Sequence, residues 1–200
     1  MSAYRTSYAV AATLTCLLTA GCAGNVASDP APTYVGKVTD PGQDAAVALV
    51  SDGSKVTFYL CGGPLSFDKI TRWFQGDVGS DGMFALEKSG GFTVTGDVGA
   101  GTGVLTTDVG QELAWTVRPT ENEEEGLYSA MDGSCRTGAI VGDLEDNGTV
   151  RLQGTWCDGE GRFAQVSPLA PAHMLTTTGI DVRVNVSPAK SLYVDRVVHP

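Results

Sequence analysis

The chain has 200 residues and carries 23 acidic against 13 basic side chains, a formal charge of −10 at neutral pH. A surface that acidic repels phosphate backbones, which argues against nucleic-acid binding, and it gains no electrostatic help in approaching anionic lipid. The length suits one domain with a substantial core, or one domain with a small appendage.

Residues 1–21 read as a segment to be removed. One cation, Arg5, precedes an uncharged run over 8–20. That run is shorter than the roughly 20 apolar residues a spanning helix needs, and small residues follow it, as before a secretion cut site. Leu18-Thr19-Ala20-Gly21-Cys22 resembles the lipobox of bacterial lipoproteins. The resemblance implies a cleaved signal peptide, a diacylglyceryl thioether on Cys22 and added palmitate-type acylation, so the partner it implies is a membrane, reached through the acylated N-terminus. One acyl chain holds only marginally, at roughly 0.8 kcal/mol per buried methylene, and lipoproteins of this type carry two or three. Loss of Arg5 with the signal would leave a formal −11. Ala23 is not aspartate, which by resemblance to Gram-negative sorting permits transfer to the outer membrane in a host that has one. Otherwise the expected place is the outer side of the cytoplasmic membrane.

Residues 22–33 are small and polar, with Asp29, Pro30 and Pro32, and read as a lipidated end and tether too poor in apolar surface to order itself. From 34 to 168 short β-branched or aromatic runs alternate with glycine, aspartate and serine. The run at 46–50, the turn Ser51-Asp52-Gly53-Ser54 and the run at 56–61 make a clear hairpin signal, because Asp-Gly supplies the positive φ of a tight turn. Similar breaks stand at Asp81-Gly82, Asp132-Gly133, Asn147-Gly148 and Asp158-Gly159. Residues 67–74 offer the best helical periodicity, but a strand over 70–78 is preferred, with Gly76 and Gly79 close behind. Gly76-Asp77-Val78-Gly79 recurs as Gly96-Asp97-Val98-Gly99, a hairpin-sized repeat. The charge run 120–125 reads as a solvated loop between strands, with contact to a cationic partner as the alternative. Residues 168–172 read as a linker or an extended crossing. Beyond it Ile180, Val182, Val184 and Val186 alternate with polar residues and a second run follows at 192–198, a hairpin that is marginal alone and must dock on the main sheet or on a partner. The expected fold is all-β: an antiparallel meander over 34–168 closing as a barrel or a sandwich, with a linker and C-terminal hairpin over 169–200.

Once Cys16 leaves with the signal and Cys22 is acylated, Cys61, Cys135 and Cys157 remain, in a compartment where disulfides persist. A turn at 145–148 sets Cys135 one place from Cys157, and a bulge would bring them opposite, so Cys135–Cys157 is the expected bridge. Cys61 is then a buried thiol acting as a small hydrophobe.

Motifs for chemistry are weak. The two histidines, His173 in the linker and His199 next to the end, lie outside any expected scaffold. Gly99-Ala100-Gly101-Thr102-Gly103 leads into a strand rather than a helix start and lacks a phosphate cradle. The acidic stretches at 143–148 and 76–82 resemble calcium loops faintly and read better as turns, so no metal or other cofactor beyond the covalent lipid is expected. Trp73, Trp115 and Trp156 fall in strands and are either core or the lining of an interior that holds a small apolar ligand.

Tyr34-Val35-Gly36, Phe58-Tyr59-Leu60-Cys61-Gly62, Trp73-Phe74-Gln75-Gly76 and Gly126-Leu127-Tyr128 resemble a group of secreted or lipid-anchored bacterial proteins frequent in actinobacteria, over residues 34–170. The resemblance implies a β-rich extracytoplasmic body and no assigned activity. Cys135, Cys157 and the terminal hairpin depart from it. The function expected is a non-enzymatic module binding a small ligand, an envelope component or a protein partner. The alternatives are a small hydrolase with paired carboxylates, or a structural envelope protein that docks through its C-terminal hairpin.

Overall fold

The computed structural model describes residues 29–88, 90–143, 150–169 and 178–200. The expected signal segment and the lipidation site Cys22 lie outside those residues, as do His173 and most of the acidic stretch 143–148. Eight strands form one antiparallel sheet: β1 (Thr33–Val38), β2 (Ala46–Ser51), β3 (Lys55–Cys61), β4 (Arg72–Asp77), β5 (Met83–Lys88), β6 (Phe92–Asp97), β7 (Thr102–Thr106) and β8 (Glu112–Pro119). Six more close as a barrel: β9 (Gly126–Asp132), β10 (Cys135–Asp143), β11 (Val150–Cys157), β12 (Phe163–Pro168), β13 (Gly179–Val184) and β14 (Lys190–Arg196). The all-β antiparallel expectation holds: the strands form one nearly closed eight-stranded sheet and one closed six-stranded barrel.

The two sheets share one plan and differ at one place. In the six-stranded barrel every strand pairs with its chain neighbour and β14 returns to β9. The eight-stranded sheet also joins its first and last strands, β1 to β8, yet its two free edges are β4 and β5, which follow each other in the chain. The meander is thus closed at its ends and open in its middle.

Local chemistry explains the hairpins. Asp52 Oδ1 accepts from the backbone N–H groups of Ser54 and Lys55 while Gly53 takes φ of 87°, giving the tight turn read from Asp-Gly. Those bonds, from Lys55 first, hold the Asp52 carboxyl below its usual range. The internal repeat also gains a physical meaning. Each copy ends a strand, β4 or β6, with its first glycine facing the sheet interior, where a Cβ would meet Leu86 in one copy and Trp115 in the other at 2.4 Å.

Three apolar clusters form. Inside the eight-stranded sheet the cluster includes Phe58, Phe74, Phe84, Phe92 and Trp115, with Phe58 and Trp115 ring centroids 5.1 Å apart. Inside the six-stranded barrel, Tyr128, Val141, Trp156 and the alternating Ile180, Val182 and Val184 fill the space, as side chains do in small barrels. Between the sheets lies a third cluster of Val35, Ala46, Ala48, Val50, Tyr59, Cys61, Leu127 and Ile140. Residues 46–50 read as an unbroken apolar run because β2 is buried on both faces, one inside its own sheet and one against the neighbour.

Several expectations change in detail. Residues 67–74 divide between one helical turn, α1 (Phe67–Ile70), and β4, so helix and strand both occur there. The change of sheet falls between β8 and β9, not near 168, and the terminal hairpin β13–β14 docks as part of the second barrel with both its edges taken. Thr33, placed by sequence in the tether, opens β1, and Ala31 N–H donates to Val198 O at 2.8 Å. The run 120–125 is not wholly solvated: the Glu125 side chain has no exposed surface and takes both Arg118 guanidinium nitrogens at 2.9 Å. Cys135 and Cys157 are bonded as expected. β10 and β11 keep one register from Asp143↔Val150 to Gly138↔Thr155, and the bridge lies beyond the last pair.

Candidate functional site

The free edges of β4 and β5 start side by side at their connecting turn, where Gly79 N–H donates to Met83 O at 2.8 Å. No backbone hydrogen bond joins the two strands beyond that turn among the described residues; side chains bridge the seam instead. Leu86 packs over Gly76, and the Arg72 guanidinium sits 4.4 Å from the centre of the Phe92 ring. Toward Arg72 and Lys88 the seam opens into a cleft of about 680 Å³. Its floor comes from β4 (Arg72, Trp73, Gln75), and the second barrel forms a wall with Ser134, Arg136 and Phe163.

Register decides which side chains reach the cleft. Arg72 opposes the interior residue Leu60 and so lies across the mouth of the eight-stranded sheet. Trp73 opposes Tyr59 on the outer face, with the two ring centroids 4.2 Å apart. The Trp73 indole N–H donates to Arg136 O at 3.1 Å and the Arg136 guanidinium stacks on the indole at 3.8 Å. Arg136 in turn follows Cys135, so the disulfide fixes the strand that carries it. Both half of the Trp–Arg contact and the wall of the cleft therefore depend on the way the sheets meet.

The electrostatics of the two arginines are unusual for so acidic a chain. Among the described residues no carboxylate lies within ion-pairing distance of either guanidinium. Arg72 donates to Thr71 O at 2.7 Å and Arg136 donates to Ser129 Oγ at 3.4 Å. Burial pushes both guanidinium pKa values down, and only Asp108, acting through space, opposes that at Arg72. Each guanidinium has five N–H donors, so most of them have no protein acceptor. The other charges on the cleft are exposed: Lys88, Asp68 and Glu87.

The three tryptophans do not share one lined interior. Trp73 borders the cleft. Trp115 is 2% exposed and wedged between Gly96 and Gly103, and its indole N–H is the only buried side-chain polar atom without a partner among the described residues. Trp156 packs inside the second barrel, where its N–H donates to Asp132 Oδ2 at 2.9 Å and the Lys190 ammonium lies 5.3 Å from its ring. The rings of Trp115 and Trp156 fill the interiors of the eight-stranded sheet and the six-stranded barrel.

Cys61 is buried beside Thr155 Oγ1 at 3.4 Å, and burial raises its thiol pKa. A raised pKa and no exposure make it a poor nucleophile. The turn at 99–103 spends its backbone N–H groups on Asp97, whose Oδ1 accepts from Gly99 and Ala100 at 2.7 and 3.0 Å. In the stretch 76–82, Asp77 pairs with Lys55 and Asp81 accepts from Met83 N–H, as hairpin turns do. No group of three or more metal-ligating side chains gathers among the described residues. No described helix is long and apolar enough to cross a membrane. His199 is exposed beyond β14.

Sequence reasoning singled out neither Arg72 nor Arg136. The one signal available was adjacency, Arg72 next to Trp73 and Arg136 next to Cys135. Nothing in the residue order says that 72 and 136 line one cleft.

Compared with protein-family models, with curated proteins and with solved structures, the chain matches none.

Proposed function

We propose that this chain is a lipid-anchored extracytoplasmic binding protein, attached through Cys22, and that it takes its ligand in the cleft between β4, β5 and the second barrel. The anchor rests on the sequence alone: the lipobox-like Leu18-Thr19-Ala20-Gly21-Cys22 and the short apolar run before it. The disulfide Cys135–Cys157 suits an oxidising compartment.

The observation that carries the binding reading is the opening of an otherwise closed meander between two consecutive strands, at the point where a second barrel supplies the missing wall. Ligand sites favour such junctions, and a cleft of this size suits a small molecule. Binding is favoured over hydrolysis by the state of the carboxylates. A catalytic pair needs one desolvated carboxyl to act as an acid, and the two acids lining the cleft, Asp68 and Glu87, are both exposed. Docking through the terminal hairpin is disfavoured because β13 and β14 are both paired on either side.

Intrinsic tryptophan fluorescence tests the reading. A panel of lipids, sugars and peptides titrated into the protein should include one that shifts the emission, and the shift should vanish in Trp73→Phe while surviving in Trp156→Phe. A response that persists without Trp73, or none to any compound, would remove the cleft as the site. Mass spectrometry of the mature N-terminus should find diacylglycerol on Cys22, and Cys22→Ala should move the protein from the detergent phase to the aqueous phase. An unmodified amino end would remove the anchor.

A further inference from the structure

The geometry points to an anionic ligand: a carboxylate or phosphate group taken up in the cleft that Arg72 and Arg136 both line, with an apolar or aromatic body lying along Trp73 and Phe163. The inference rests on the cleft being the binding site and adds the chemistry it selects. Four observations support it. Two guanidiniums from different sheets line one cleft. Neither has a carboxylate partner among the described residues, and each has one hydrogen bond to protein. Both are partly withdrawn from water, so an incoming anion replaces hydration that has already been lost. Both are also oriented by aromatic rings, Arg72 over Phe92 at 4.4 Å and Arg136 over Trp73 at 3.8 Å. Stacking fixes the plane of the fork and leaves its edge N–H groups free for the paired oxygens of a carboxylate or phosphate.

The alternative role for such arginines is structural, to solvate the seam and cover Phe92. That role needs the aliphatic stem and the ring contact only, and it makes no demand on charge. The remaining cleft charges nearly balance, with Lys88 against Asp68 and Glu87 on the exposed rim, so the two arginines set the sign of the interior. In a chain of formal charge −10, selection of an anion must come from this contact and not from long-range attraction.

Isothermal titration of the full chain with phenyl phosphate, benzoate, benzyl alcohol and inorganic phosphate tests it. The first two should bind at least tenfold more tightly than benzyl alcohol, and either Arg72→Gln or Arg136→Gln should lower their affinity about tenfold or more. Arg136→Lys, which keeps the charge and loses the fork, should fall between. Inorganic phosphate competing as well as phenyl phosphate would assign the site to a free anion, and weaker competition would assign it to an anion carried on an organic body; either result supports anion selection. Benzyl alcohol binding as well as benzoate would overturn the anion inference and leave the cleft as a neutral site. Failure of all four at millimolar concentration would overturn the anion inference, while the fluorescence panel decides whether the cleft binds at all. If Arg136→Gln does not fold, as judged by near-ultraviolet circular dichroism, Arg72→Gln and the shift of the Trp73 indole N–H resonance decide alone.

Discussion

Replacing Arg118 by methionine tests how the eight-stranded sheet is joined to the barrel. Arg118 leaves β8 with its two terminal nitrogens each 2.9 Å from an oxygen of Glu125, the residue before β9. The Glu125 side chain has no exposed surface, while 32% of the Arg118 side chain is exposed. Removing one partner of a buried pair leaves an uncompensated charge and costs about 3–5 kcal/mol. Water can follow into the space that the partly exposed arginine vacates, which places the expected loss near the lower end, about 3 kcal/mol. That is a large share of the roughly 5–15 kcal/mol by which folded proteins exceed their unfolded states. The double variant Arg118→Met with Glu125→Leu should recover most of it, because the penalty belongs to the orphaned charge. About 1 kcal/mol should remain missing, since the Glu121 N–H now donating to Glu125 at 2.7 Å loses its acceptor. Urea denaturation reads these differences as shifts of the midpoint at constant slope. A single variant within about 0.5 kcal/mol of the parent, or a double variant worse than the single, would refute the claim that buried charge holds this junction.

The Cys135–Cys157 bridge, with a sequence separation of 22, should contribute about 3 kcal/mol in the chain-entropy model, so reduction or the double Cys→Ala variant should lower the urea midpoint and weaken any cleft ligand by loosening Arg136; an unchanged midpoint would count against it. Gly96→Ala places a Cβ 2.4 Å from the Trp115 ring and 2.9 Å from Phe84, and should cost about 1–3 kcal/mol by thermal or urea melting, with part regained on adding Trp115→Phe. A neutral Gly96→Ala would show that the indole is not wedged there. The Cys61 thiol should resist aromatic disulfide reagents in the native protein and react once it is unfolded. Cys61 and Tyr59 both have pKa values raised by burial, so their unfolded forms release protons first. The stability tied to them is complete below pH 9 and is lost as pH rises beyond the ordinary thiol value of 9.0, an effect that Tyr59→Phe should reduce. Stability that stays flat up to pH 11 would contradict the burial of these two groups.

What local sequence controls was legible. Asp-Gly pairs, glycine spacing and period-two runs depend on neighbouring residues alone, and they gave the strands, the turns and the antiparallel meander. The pairing of Cys135 with Cys157 followed from register, which a short turn transmits along two adjacent strands.

What the tertiary structure decided is how the strands are shared out. The turn signals within each barrel are of the same kind as those between them, so nothing local marks the change of sheet at 119–126 or the failure of β4 to pair with β5. Glu125 reads as one more acid in an acidic loop until Arg118, seven residues earlier, turns toward it across the junction. Arg72 and Arg136 come to line one cleft only because the chain folds a second barrel beside the free edge of β4. Sequence order fixes the elements because their causes are short-range, and the cleft had to wait for the fold because its two halves come from residues more than sixty positions apart.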